Sequence, residues 1–171
     1  MFVTTTHSVY RTRWRWLLAV LTLIALDQAS KTYFSQTIPI NAAIEITPWL
    51  NFVHILNTGA AFSFLANADG WQRGFLTVVG VLIVVPVAVM SLLRHTPNVE
   101  RWVGAAIVAG GCGNLIDRIR TGAVVDFVDL HWGSLHWPAF NLADVFIVSA
   151  VLAWLPAAFA KPDPAGNGVV E

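Results

Sequence analysis

Uncharged, mostly apolar runs dominate the chain, and their lengths limit the elements they can form. Among the runs that lack Asp, Glu, Lys and Arg, four read as helical spans: residues 16–26, 74–93, 102–116 and 145–160. A helix needs about 20 residues to cross about 30 Å of hydrocarbon. Only 74–93 has 20 residues; the others have 11, 15 and 16. To span, each of these must take in a neighbouring carboxyl group: Asp27, Asp117 or Asp144. The pattern predicts an all-α integral membrane protein with four transmembrane helices, at about 15–34, 73–93, 101–118 and 140–160. The whole chain, 1–171, reads as one membrane domain.

Between the spans the period changes. Residues 37–70 carry Ile38, Ile40, Ile44, Ile46, Val53 and Ile55 among Pro39, Thr47 and Pro48, a mixture that predicts short strands. In the loop 119–139, Val124–Leu130 reads as extended and Gly133, Ser134 and Pro138 as a turn. Trp49, Trp71, Trp132 and Trp137 fall at one level, and Trp14, Trp16, Trp102 and Trp154 at the other, as two interfacial belts would. All eight are expected to be anchors. The polar, Pro- and Gly-rich stretch from Pro162 to Glu171 is expected to fray.

Charge sets the orientation. Arg11, Arg13, Arg15, Arg94, Arg101 and Lys161 lie on the side of the termini; Lys31, Arg73, Arg118 and Arg120 lie opposite. The first group places both termini in the cytoplasm. Arg11–Arg15 before Leu17–Leu26 resembles a signal peptide, but no small-x-small site follows cleanly, so a retained anchor is expected. Composition then narrows the class. Mean hydropathy is +0.64 and charged residues are 12%, about half the share in a soluble domain. Ten basic and ten acidic residues leave no basic excess for nucleic acid. One cysteine, Cys112, excludes a disulfide framework, and the five histidines show no metal-ligand spacing, so no metal is assigned.

With so few charges, the place of each acid is informative. Asp117 lies 16 residues from Arg101 and Asp144 lies 17 from Lys161. Those counts put both acids about 24–25 Å up antiparallel helices, near the outer boundary. Asp27, at about 18 Å, is deeper and one turn from Lys31, which favours a structural ion pair. Asp117 adjoins Arg118, so a salt-bridged helix end and a functional acid are equally good readings. Asp126 lies in the apolar stretch Val124–Val128; if extended, it shares a face with Val124 and Val128. Neither Asp126 nor Asp144 has a basic neighbour in sequence. Two carboxyls in a partly dry site titrate apart, one protonated and one ionised, which suits acid/base hydrolysis. The same pair suits a proton-coupled carrier, and ion-paired glue in a scaffold is a third reading. Asn114 precedes Asp117 by three residues and Asn141 precedes Asp144 by three, a spacing that shares a helix face. Ala105, Ala109 and Gly113 form a small-residue stripe for close helix contact. Gly110 and Gly111 beside it are read as packing.

Five blocks carry a family pattern. They are Asp27-Gln28-Ala29-Ser30-Lys31, Asn57-Thr58-Gly59-Ala60-Ala61-Phe62-Ser63, Gly110 through Arg118, Val124-Val125-Asp126-Phe127, and Phe140-Asn141-Leu142-Ala143-Asp144. In this order, over roughly 16–160, the sequence resembles signal peptidase II, the bacterial lipoprotein signal peptidases. The resemblance implies a multi-pass aspartyl endopeptidase of the inner membrane, with its site near the periplasmic face and no cofactor. It implies a small periplasmic β-cradle between helices 1 and 2, within 37–70. Substrates would be prolipoproteins bearing a diacylglyceryl group on the lipobox cysteine, cut just before that cysteine, with the lipid arriving sideways from the membrane. A monomer suffices for this chemistry. Asp126 and Asp144 resemble the catalytic dyad, and Asn57, Asn114, Asp117, Arg118 and Asn141 the polar shell that orients substrate and dyad. Asp27 and Lys31 of the first block join the supporting set. Depth alone pairs Asp117 with Asp144, whereas the motif pairs Asp126 with Asp144; the motif is followed, and Asp117 becomes support.

Overall fold

The structure, a computed structural model, describes residues 4–59, 71–93 and 96–159. Residues 60–70, with the end of the second motif block, lie outside the described residues, as do Arg94, His95, Lys161 and the tail from Pro162. Four helices form: α1 (Thr4–Thr37), α2 (Trp71–Leu92), α3 (Asn98–Arg120) and α4 (Leu142–Phe159). Among the described residues, α2 alone is long and apolar enough to cross a membrane by length and composition.

α3 is the central helix and packs against the other three. Its small residues sort by direction. Ala105 and Ala109 are buried with Trp16 and Val20 of α1. A side chain at Gly104 would meet Ser91, and one at Gly111 would meet Val84, both on α2. One at Gly110 would run into the Ala143 carbonyl of α4, and one at Gly113 into the Asp27 carboxylate of α1. The glycines therefore do pack, and they pack on three sides. Backbone approach at Gly110 and Gly113 brings α3, α1 and the start of α4 together at one point.

Polar groups also hold the opposite end. The last carbonyls of α2 lack intrahelical donors. Arg101 donates to Ser91 O and Leu93 O at 3.1 and 3.3 Å, and Arg13 to Leu92 O at 3.3 Å. Two of the arginines that set the charge bias are thus also helix caps. Trp16 departs from the expected anchor role. It is 4% exposed, and its indole N–H donates to Arg101 O at 3.1 Å. It faces α3 rather than outward, and a buried indole needs that acceptor. The other seven tryptophans are exposed.

The sheet is larger than the expected cradle between α1 and α2. That segment supplies β1 (Ala43–Thr47) and β2 (Leu50–Asn57), while the 119–139 loop supplies β3 (Val124–Trp132) and β4 (Leu135–His136). The four strands are antiparallel in the order β1-β2-β3-β4. A hairpin alone is marginal, and β3 covers the open edge of β2. Gly133, at φ 59°, makes the β3–β4 turn where the sequence predicts one. The sheet is fastened to α1 by Phe34, which stacks on Phe127 of β3 at 4.4 Å and lies 4.6 Å from Phe52 of β2.

Candidate active site

The site forms where α1, α3, the start of α4 and the sheet meet. On the edge of β3 away from β2, Phe140 pairs with Val128: Val128 N and Phe127 N both donate to Phe140 O, and Phe140 N donates to Val128 O. This pairing sets Asn141, the residue before α4, beside Asp126. Asn141 Nδ2 donates to Asp126 Oδ1 at 2.7 Å. The same residue caps α4. Its Oδ1 accepts from Asp144 N at 3.2 Å, and Asp144 Oδ2 accepts from Asn141 N at 3.1 Å. This reciprocal pattern is a capping box. The three-residue spacing thus works through the cap, because Asn141 stands before the helix rather than on its face.

Each amide in the site is oriented by a second bond. Asn57 Oδ1 accepts from Gly59 N at 2.8 Å, which turns its Nδ2 toward Asp126 Oδ2 at 2.9 Å. Strand register makes that reach possible, since Asn57 pairs with Val124 and Ile55 with Asp126, a diagonal neighbour on one face. Asn114 Oδ1 accepts from Lys31 Nζ at 2.9 Å, and its Nδ2 donates to Asp144 Oδ1 at 2.9 Å. Asn141 Nδ2 reaches the same Asn114 oxygen at 3.2 Å. Asp126 and Asp144 therefore sit on different elements, each bonded to Asn141. No hydrogen bond joins their carboxyls among the described residues.

Lys31 is the hub beneath them. It pairs with Asp27 and with Asp117, each at 2.9 Å, and is 3% exposed. The expected Asp27–Lys31 pair is present, within α1. Asp27 does more: it is fully buried, and its Oδ1 accepts from Ala143 N at 2.9 Å. One carboxylate of α1 thus satisfies an orphan N–H in the first turn of α4. Asp117 pairs with Lys31 and not with Arg118, because consecutive helical side chains point about 100° apart. Its Oδ2 also accepts from Val125 N at 3.3 Å, tying α3 to β3. Arg118 lies within electrostatic reach of Asp144, Asp126 and Asp117, so Asp126 and Asp144 have a cation nearby that adjacency in sequence does not show.

Gln28 is the residue that sequence reasoning passed over. Its Nε2 donates to Asp117 Oδ1 at 3.0 Å, to Gly113 O at 3.2 Å and to Asp27 Oδ2 at 3.2 Å. Its place inside the first motif block was the available signal.

Asp126 is 2% exposed on β3. Burial pushes its carboxyl up from 3.8 to about 6; the Asn57 and Asn141 bonds and the Lys31 charge oppose the rise, and the Asp144 charge adds to it. Above about pH 6 the folded protein must keep this buried group ionised. That costs about 3 kcal/mol at 1.36 kcal/mol per unit. Below pH 3.8 the unfolded chain carries the proton too, and the cost disappears. Stability from this group therefore falls between about pH 4 and 6 and is level above. Melting curves of wild type and Asp126→Asn should diverge over that range by the equivalent of about 3 kcal/mol in favour of the variant. A difference independent of pH would contradict this account. Asp129, three residues on, is also desolvated, but its bonds to His136 and Asn51 outweigh that and hold its carboxyl below the usual range. It clasps β2, β3 and β4 together outside the site.

Residues 19–160 match the family model described as signal peptidase (SPase) II. A lipoprotein signal peptidase of Aeromonas hydrophila is 47% identical over 146 residues, covering 83% of this chain and 85% of that protein. One of Tolumonas auensis is 44% identical over 155 residues, covering 88% and 92%. A solved bacterial membrane enzyme at 1.9 Å superposes with a TM-score of 0.74 at 26% identity, covering 86% of this chain and 94% of that one. The fold, four helices and a small antiparallel sheet, is that of a membrane enzyme, and the matched family is one of peptidases. The chain belongs to the signal peptidase II family.

Proposed function

We propose that this protein is an aspartic endopeptidase that removes the signal peptide from diacylglyceryl-modified prolipoproteins, cutting before the lipidated cysteine. The observation that carries the reading is the Asn141 clamp, which holds Asp126 of a strand and Asp144 of a helix in one amide network. One carboxylate takes a proton from water, and the resulting hydroxide attacks the scissile carbonyl. The other carboxyl supplies a proton to the leaving amine. Asn57, Asn114 and Asn141 orient the pair, and Asp27, Lys31, Asp117 and Arg118 hold the elements that carry it. No step requires a cofactor.

All four helices act as spans in this reading, within one domain whose termini face the cytoplasm and whose site faces the periplasm of a bacterial inner membrane. Leu18 and Leu21 on α1, Leu82, Val85 and Val89 on α2, and Val148 and Leu152 on α4 are exposed, as lipid-facing residues are. The buried groups Asp27, Lys31, Asn114, Asp117, Asp126 and Asn141 are polar. This inversion fits a bilayer, where ionisable side chains face the bundle interior.

Incubating the purified monomer with a lipidated prolipoprotein tests the function. The expected product is shorter by the signal peptide and begins at the lipidated cysteine, while the unlipidated form stays intact. Absence of cleavage, or a cut elsewhere, would overturn the proposal. Solute flux in proteoliposomes without proteolysis would favour a carrier instead.

A further inference from the structure

Four acids and two cations share the site, and the two acids of the dyad are not equivalent in their surroundings. We propose that Lys31 is a positioning residue which, through the Asn114 amide, makes Asp144 the base that activates water and leaves Asp126 as the acid that protonates the leaving amine. The inference rests on the dyad reading above and assigns roles within it.

The geometry has three parts. Lys31 Nζ lies 2.9 Å from Asn114 Oδ1, and Asn114 Nδ2 lies 2.9 Å from Asp144 Oδ1. An ammonium on the amide oxygen draws electron density away from nitrogen and strengthens the N–H as a donor. The cation's influence is thus passed to one oxygen of Asp144. The other oxygen accepts a backbone N–H from Asn141 at 3.1 Å. Asp144 is also the third residue of α4, inside the first turn, where the helix favours negative charge.

Asp126 has none of these links, although the Lys31 charge also acts on it across space. Its oxygens meet only the side-chain amides of Asn57 and Asn141, at 2.9 and 2.7 Å. It stands on a strand, which has little net dipole. The remaining charged groups facing the pair do not separate its members. Arg118 of α3 acts on both acids, and Asp27 of α1 and Asp117 of α3 are occupied by Lys31 itself. The hydrogen-bonded Lys31–Asn114 relay, together with the Asn141 N–H and the start of α4, therefore distinguishes Asp144 from Asp126. In the reaction, Asp144 accepts a proton from water as the water oxygen bonds to the carbonyl carbon. Asp126 gives its proton to the amine as the C–N bond breaks. The proton on Asp144 then returns the pair to its starting state through transfer to Asp126.

The test is a double-mutant cycle read through pH profiles of kcat/KM. Lys31→Met is made together with Asp27→Asn, which removes one charge of each sign and keeps an oxygen for Ala143 N. Asn114→Leu breaks the link while leaving both Lys31 ion pairs in place. In each, the acid-side limb should move up by about one pH unit with KM little changed, whereas a role in holding substrate would raise KM and leave the limb in place. Combining them should add little, since they act in series. Lys31→Arg should restore much of the limb.

A limb that stays in place in folded Asn114→Leu protein overturns the proposal, as does full additivity in the cycle. If the Lys31 variant does not fold, Asn114→Leu decides by itself. Asp144→Asn in the same assay separates the two levels. An active Asp144→Asn enzyme would remove the dyad reading; an inactive one beside an unmoved limb would remove only the role of Lys31.

Discussion

Asp126→Asn and Asp144→Asn should each lower cleavage of a lipidated prolipoprotein by about 10³-fold or more, near the upper range for losing a general acid or base. An amide is nearly isosteric with a carboxyl but takes no proton at these pH values. Each variant keeps one acceptor oxygen and loses one of its two bonds, to Asn57 or Asn141 at position 126 and to Asn114 or Asn141 N at position 144, so the folded yield should fall only modestly. Asp117→Asn should behave differently. Asp117 binds Lys31, Gln28 and the β3 backbone and is not hydrogen-bonded to either member of the dyad. Its loss should lower the folded yield and reduce turnover less. Turnover in detergent, with folded protein quantified by size exclusion, measures all three. Normal turnover in either dyad variant would refute the assignment, and a larger loss in Asp117→Asn would return it to the pair suggested by depth.

Asp27→Ala should be the most destabilising single change in the site. Its carboxylate meets Lys31, Gln28 and the Ala143 N–H, which belong to α1 and α4. Removing it leaves an N–H without its acceptor and the ammonium with one carboxylate where it had two. Breaking a buried charge pair costs about 3–5 kcal/mol, which is about 10 °C in Tm for a chain of this size. Asp27→Asn should lose clearly less, because its oxygen still accepts from Ala143. Since α4 carries Asp144, activity should fall with stability in the alanine variant. Equal melting temperatures for the two variants would show that the helix cap contributes nothing.

The contrast between these residues shows what was legible beforehand. Asp27 with Lys31, and Asn141 with Asp144, are contacts between near neighbours on one helix or at its start. Their spacing therefore announces them, even though Asn141 proved to be a cap. The small-residue pattern of α3 was readable for the same reason. The links that make a site are of another kind. Lys31 to Asn114, Asp27 to Ala143 and Asn57 to Asp126 join residues 83, 116 and 69 positions apart. Gln28 points across to α3, which nothing in its own helix reveals. Arg118 reaches the dyad although it adjoins neither acid.

By itself, then, the sequence determined the apolar runs, the strand-rich loops, the scarcity of charge and the five motif blocks, because each depends on composition or on local period. Only the tertiary structure decided that both loops build one sheet, that Trp16 faces inward, and that Lys31 serves two acids and an amide at once. Those outcomes depend on how closely α1, α3 and α4 approach at Gly110 and Gly113 and on the strand register that sets Asn57 diagonal to Asp126. The acids were identifiable because burying them is costly wherever they lie. Their partners were not, because a long-range hydrogen bond exists only once the packing that brings donor and acceptor within 3 Å has formed.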